Sequence, residues 1–162
     1  MIDGLSPWMS DKLSELLRYA DKHGIAARVV STRRSCAEQD AIYASGAGVV
    51  TQAHGCISWH VWGRAADLEI DGPVSDYAIL GDRWKQMGGV WGGDFSFKDY
   101  GHFEWHPGVK IEDVCRSQAD CPDPTAPWPE DRPLLELPVV RLGVGLVLAG
   151  GGIAIARRLL QM

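Results

Sequence analysis

In Ser58-Trp59-His60-Val61-Trp62-Gly63-Arg64-Ala65-Ala66-Asp67-Leu68-Glu69-Ile70 the final residues alternate, so an extended chain places Asp67 and Glu69 on one face and Leu68 and Ile70 on the other. The spacing predicts a strand that buries its apolar face and presents Asp67 from the polar one. His102-Phe103-Glu104-Trp105-His106 alternates in the same way and predicts a second such strand. Upstream, Leu13, Leu16, Leu17 and Ala20 recur at helical spacing between Ser10 and His23, with Gly24 placed to end the helix. Ile25 to Val30 reads as a short strand leading into Ser31-Thr32-Arg33-Arg34, and a helix follows from Ser35 or Cys36 to Ala44. Ser75 can cap a helix that turns Tyr77, Leu80, Trp84 and Met87 to the core before Gly88 and Gly89. Strands and helices mixed without regular βαβ repetition predict an α+β domain, a small and mainly antiparallel sheet with flanking helices.

The 162 residues fit one compact domain with an appendage, and a hydrophobic share of 46% suffices for a core. A net charge of −5, with no dense Lys/Arg face, argues against nucleic acid as a partner. Met1 to Ser10 lacks a basic region followed by an apolar stretch, so no signal peptide is expected. Pro122, Pro124, Pro127, Pro129, Pro133 and Pro138 mark a stiff linker, which divides the chain into a domain at 1–118, a linker at 119–138 and an apolar tail at 139–162.

From Leu137 to Ala156 the tail reaches the roughly 20 residues of a bilayer crossing, interrupted only by Arg141, so membrane association through 139–158 is one expectation. A hydrophobic hairpin or core strand is the other. Arg157 and Arg158 favour a cytoplasmic C-terminus, which sits badly with the missing signal and leaves localisation open between a membrane anchor and none. The four cysteines form no C-x-x-C pair, so a structural zinc ribbon is not expected. Disulfides Cys36–Cys56 and Cys115–Cys121 fit an oxidising compartment and buried thiols a reducing one.

His60 and Asp67 are separated by six residues with Gly63 between them, and His102 follows on the other functional strand. Two imidazoles and a carboxylate make a ligand set for one catalytic Zn2+ that leaves the fourth tetrahedral position open. Spacing alone is a weak signal; His23 and His54 read as ordinary surface or core residues.

The neighbouring residues add more. Ser58-Trp59-His60-Val61-Trp62-Gly63-Arg64-Ala65-Ala66-Asp67 resembles the S-x-H-x-x-G-x-A-x-D signature of the zinc D-Ala-D-Ala carboxypeptidase and L-alanyl-D-glutamate peptidase family, matching every fixed position. Trp91-Gly92-Gly93-Asp94-Phe95 and Asp99-Tyr100-Gly101-His102-Phe103-Glu104 resemble its second signature, and Arg34-Ser35-Cys36-Ala37-Glu38-Gln39 with Ala41, Tyr43 and Ala44 its substrate-arginine segment. The resemblance spans roughly residues 10 to 110 and implies a fold like that of these peptidases and of the Hedgehog signalling domain.

What the resemblance implies for individual residues is specific. His60, Asp67 and His102 would hold the zinc, Asp99 would be the general base, and Arg34 would bind a substrate carboxylate or stabilise the oxyanion. Arg33 stands where the family usually has an aromatic residue. Ser58 would hydrogen-bond substrate backbone, and Gln39 would bind substrate or brace the arginine. From the two-residue strand period rather than the resemblance, Glu104 shares a face with His102 and reads as orienting a ligand from behind, and His106, on the same face, is a candidate substitute ligand or proton donor. Trp59, Trp62, Trp91 and Trp105 read first as packing. The implied partner is a peptidoglycan stem peptide. The implied activity is an L-alanyl-D-glutamate endopeptidase, of the branch with phage endolysins and wall-remodelling enzymes. The alternatives are a D-alanyl-D-alanine carboxypeptidase and a non-catalytic zinc-containing binding module.

Overall fold

The computed structural model describes residues 1–46, 51–115, 121 and 124, with the backbone of 139–141 and 146–148. The chain divides into two units, Met1–Ala126 and Pro127–Met162. In the first, α1 runs Pro7–Lys22, β1 Ala27–Ser31, α2 Cys36–Gly46, β2 Ala65–Ile70, α3 Val74–Gln86, β3 Val90–Trp91, β4 His102–Glu104 and α4 Ile111–Val114.

Helix α1 begins before the expected Ser10 because Ser6 caps it, its side chain accepting from the Met9 N–H, while Pro7 occupies the first turn, where a missing N–H costs nothing. Its buried stripe is Met9, Leu13, Leu16 and Ala20. Helix α2 opens on a reciprocal cap: the Ser35 N–H donates to Glu38 Oε2 at 2.7 Å and the Glu38 N–H to Ser35 Oγ at 3.1 Å. Helix α3 begins at Val74 with Pro73 as its cap and no capping side chain, so Ser75 lies inside the first turn rather than at the cap. Leu80 and Trp84 are buried as expected, while Tyr77 and Met87 pack from the margin.

The sheet has the order β1-β2-β4-β3, every pair antiparallel. Strands β1 and β2 align Ala27 with Ile70 and Val29 with Leu68, then shift register so that Ser31 meets Asp67. β4 ends at Glu104, short of the expected His106. The Trp105 N–H still reaches Arg64 O at 2.8 Å, but Pro107 and Gly108 turn the chain away. One face of the sheet, through Ala66, Leu68, Ile70 and Phe103, meets Leu13, Leu16, Leu80 and Trp84 in the core. Trp84 stacks edge-on against Phe103 and Trp105 and donates from Nε1 to Glu104 O at 2.8 Å. By strand alternation, Asp67, His102 and Glu104 emerge on the opposite face.

In the second unit, β5 (Val139–Arg141) and β6 (Leu146–Leu148) pair antiparallel, with Val140 opposite Val147. These paired residues lie within the stretch read as a membrane crossing. No helix among the described residues is long and apolar enough to cross a membrane. Most of the linker and the remainder of the tail lie outside the described residues.

Candidate metal centre and its cleft

Asp67 and His102 are register partners on β2 and β4, so the sheet itself sets their separation. His60 comes from the tight loop before β2, in which the Val61 N–H donates to Ser58 O, the Gly63 N–H to His60 O and the Arg64 N–H to Trp59 O. Gly63 has φ +65°, and a Cβ there would stand 2.9 Å from Gly4 O. Only glycine meets both demands without strain, which gives the glycine of the His-to-Asp segment a physical reason.

The three side chains converge. His60 Nε2 lies 3.2 Å from Asp67 Oδ1, His102 Nδ1 lies 3.0 Å from the same oxygen, and the two nitrogens are 3.3 Å apart. Their outward atoms decide what the inward ones are. His60 Nδ1 donates to the Thr32 carbonyl at 2.6 Å, and His102 Nε2 donates to Glu104 Oε1 at 2.9 Å. Each ring therefore turns a lone pair inward, towards a carboxylate oxygen that also only accepts. Three acceptors facing one another are stable only around a cation. The atoms lie within 4.8 Å of one another, and two imidazoles with one carboxylate suit zinc.

The charges respond accordingly. Burial pushes His102 down, but hydrogen bonds to Asp67 and Glu104 outweigh it and raise its pKa to about 10, so in the metal-free protein a proton takes the cation's place. Burial pushes Asp67 up; the hydrogen bond from the protonated His102, with the adjoining His60 ring, overcomes that and holds it well below the carboxylate range. Burial likewise opposes, and the bonds from His102 and His106 outweigh it at Glu104, which is lowered to about 2.

Arg34 stands beside this cluster. Its Nη2 donates to Asp67 Oδ2 at 2.5 Å and to Ser31 Oγ at 2.8 Å, its Nε to Ser31 Oγ at 3.1 Å, and its Nη1 to Gln39 Oε1 at 3.1 Å. Arg33 points elsewhere and donates to the Pro124 carbonyl. Gln39 is fully buried and does not line the cleft, and it meets Arg34 as a brace would. Its Nε2 donates to Ala53 O and Thr51 Oγ1, so it ties the arginine to the loop of 51–53.

A cleft of about 550 Å³ opens over the cluster, and Arg34, Ser58, His60, Asp67, Asp99 and His102 all line it. Asp99 is half-buried on the segment leading into β4, and burial is the chief cause of its raised pKa, with the charge of Asp67 adding and that of His102 opposing. The Asp99 carbonyl accepts from the His102 N–H at 3.2 Å, a turn that brings both residues towards the same space. Gly101 makes this turn possible, because a Cβ there would stand 2.8 Å from Leu68 O. His106 is not among the converging atoms: its Nε2 meets Glu104 Oε2.

Sequence reasoning missed the Thr32 carbonyl and the Ser31 hydroxyl, since neither a backbone oxygen nor a β1 register shift leaves a mark in residue spacing. It also missed the apolar cleft wall of Ile42, Ile57, Phe95, Phe97 and Ile111. Cys36 and Cys56 are joined, with Cα atoms 4.6 Å apart, fastening the start of α2 to the loop that leads to Ser58; Cys115 is joined to Cys121.

No protein-family model matches the chain. Among solved structures it is similar to the L-Ala D-Glu endopeptidase ChiX of Serratia marcescens, with a TM-score of 0.51 and 24% identity over 64% of this chain and 81% of that one. The chain has the fold of that endopeptidase. It also matches the Zn(II) complex of a variant of the vancomycin resistance D,D-pentapeptidase VanY, from a VanB-type cassette, with a TM-score of 0.47 and 19% identity over 67% of this chain and 82% of that one.

Proposed function

We propose that this protein is a zinc-dependent peptidase that hydrolyses a stem-peptide bond of peptidoglycan, acting as an L-alanyl-D-glutamate endopeptidase. The observation that carries the reading is the convergence of three lone pairs, from His60, Asp67 and His102, in a cleft that also holds a carboxylate of raised pKa, Asp99. Zinc at such a site supplies a Lewis acid for the scissile carbonyl and lowers the pKa of water. Asp99, with its affinity for a proton raised by burial, takes the proton of the attacking water and returns it to the leaving amine. Ser58, at the cleft wall, offers a hydroxyl to the substrate backbone.

Arg34 favours the endopeptidase over the carboxypeptidase reading. Its Nε, both hydrogens of Nη2 and one of Nη1 are spent on Ser31, Asp67 and Gln39. The one N–H that remains suits a single carbonyl or oxyanion, whereas capture of a terminal carboxylate is best served by a bidentate fork. The apolar wall suits an alanine methyl, a feature that both readings share. In this reading residues 1–118 carry the catalysis, 119–138 act as a spacer and 139–162 as a tail.

The test is digestion of purified peptidoglycan by the full chain. New amino groups should appear, stop on chelation and return with zinc, and be lost in His60→Ala and Asp99→Ala. Mass spectrometry of fragments from a defined muropeptide identifies the bond: free D-Ala indicates the carboxypeptidase. Zinc binding with no cleavage of any wall type leaves a binding module and refutes the enzyme.

A further inference from the structure

The metal centre has an outer support. Glu104 is a carboxylate shared between two histidines: Oε1 accepts from His102 Nε2 at 2.9 Å, and Oε2 lies 2.8 Å from His106 Nε2. His106 is itself held on two further sides. Its Nδ1 lies 2.9 Å from the Val109 carbonyl oxygen, and its ring lies flat on the indole of Trp59, centroids 4.2 Å apart and planes 9° from parallel. Both ring nitrogens are thus engaged away from the cluster, so His106 is neither a substitute ligand nor a proton donor to substrate.

We infer that His106 is a positioning residue for the metal centre: clamped between Trp59 and the Val109 carbonyl, it holds the second oxygen of Glu104 so that the first fixes His102 with Nδ1 inward. The inference rests on the metal reading of His60, Asp67 and His102. A carboxylate with one partner pivots about its terminal torsion, and an imidazole whose outer nitrogen is loosely held can turn over and present the wrong nitrogen. A carboxylate held at both oxygens does neither. Glu104 and His106 are largely shielded from water, at 14% and 15% side-chain exposure, so solvent is a poor substitute for the missing bond.

The same contacts link the cleft wall to the ligands. Trp59 lines the cleft, adjoins His60 in sequence and stacks on His106, so one indole touches both the cleft and the residue that holds Glu104.

The experiment measures zinc affinity of the full-length protein by competition with a chromophoric chelator, for the wild type, His106→Ala, His106→Gln and His106→Asn. The Gln amide nitrogen reaches the place of Nε2 and keeps the bond to Glu104; the Asn amide is one methylene shorter and reaches only the place of Nδ1. Removing a direct partner of a ligand typically costs 10- to 100-fold in metal affinity; His106 acts one step further out, so a loss of about 10-fold, the lower end, is expected for Ala and Asn with recovery in Gln. The visible absorption of the cobalt(II)-substituted proteins should shift in the same two variants and not in Gln. Thermal melting of the zinc-free proteins reports folding, and if Ala fails to fold the Gln and Asn pair decides. Zinc affinity unchanged in Ala and Asn overturns the inference, as does equal loss in all three variants, which would make ring packing rather than the bond the cause. A wild type that binds no zinc overturns the metal reading and this inference with it, and is distinguished by the wild-type measurement alone.

Discussion

Without a bound metal, the stability of this protein should fall steeply between pH 6.5 and pH 10. His102 sits between Asp67 and Glu104, and its pKa rises from 6.5 to about 10 on folding. The folded state then holds the proton more tightly than the unfolded one. The resulting stabilisation is complete below pH 6.5, declines by roughly 1.4 kcal/mol per pH unit above it and is gone once pH passes 10. A rise of that size corresponds to at most about 5 kcal/mol, which competes with the whole stability of an ordinary domain, about 5–15 kcal/mol. His102 is only 12% exposed, so little of this is screened by water. The assay is urea unfolding of chelator-treated protein at pH 6, 8 and 10 in constant salt, with His102→Gln beside it. Bound zinc replaces the proton, so the loaded protein should lose most of this dependence, and zinc uptake at pH 7 should release close to one proton, measurable by calorimetry in two buffers. Metal-free wild type and His102→Gln that share one pH profile would refute the reasoning.

Three further outcomes follow from the packing around the centre. Gln39→Leu should leave Arg34 Nη1 without its Gln39 acceptor, while Ala53 O and Thr51 Oγ1 keep one another, and destabilise by about 1–3 kcal/mol, read from the urea midpoint, while raising KM through a loosened Arg34. Gly101→Ala should push β4 away from Leu68 O and lower zinc affinity, seen by chelator competition, with far-UV circular dichroism unchanged. Trp84→Ala, at a fully buried ring touching Phe103 and Trp105, should cost about 3–5 kcal/mol by chemical unfolding.

The parts of this molecule legible in the sequence are those where residue spacing and geometry coincide. Strand alternation around Asp67 and His102 is a local property, and it places both on the face opposite Leu68 and Phe103. Gln39 shows the limit. A helix segment following an arginine says that the two are near, but not that the glutamine turns into the protein rather than into the cleft, because that depends on Thr51 and Ala53 twelve and fourteen residues further on. Arg33 and Arg34 are told apart only by the chain's path after the register shift of β1, which spacing does not encode. Ser75 is a good capping residue in isolation, yet Pro73 starts the helix two residues earlier. The apolar tail carries a strong hydrophobic signal without a periodicity that separates strand from helix, and its described residues pair as strands.

The Cys36–Cys56 bond closes a loop whose two ends are the chemically demanding ones, Gln39 just inside the first and Ser58 just beyond the second. Closing a flexible loop costs free energy that grows only slowly with its length, by about 0.6 kcal/mol per doubling. A covalent tie at the base therefore keeps the start of α2 beside the segment leading to Ser58, whatever the length of chain between them. Changes in the intervening chain that spare Gln39, Thr51 and Ala53 should alter the cleft rim at Ile42 while His60, Asp67 and His102 keep their places.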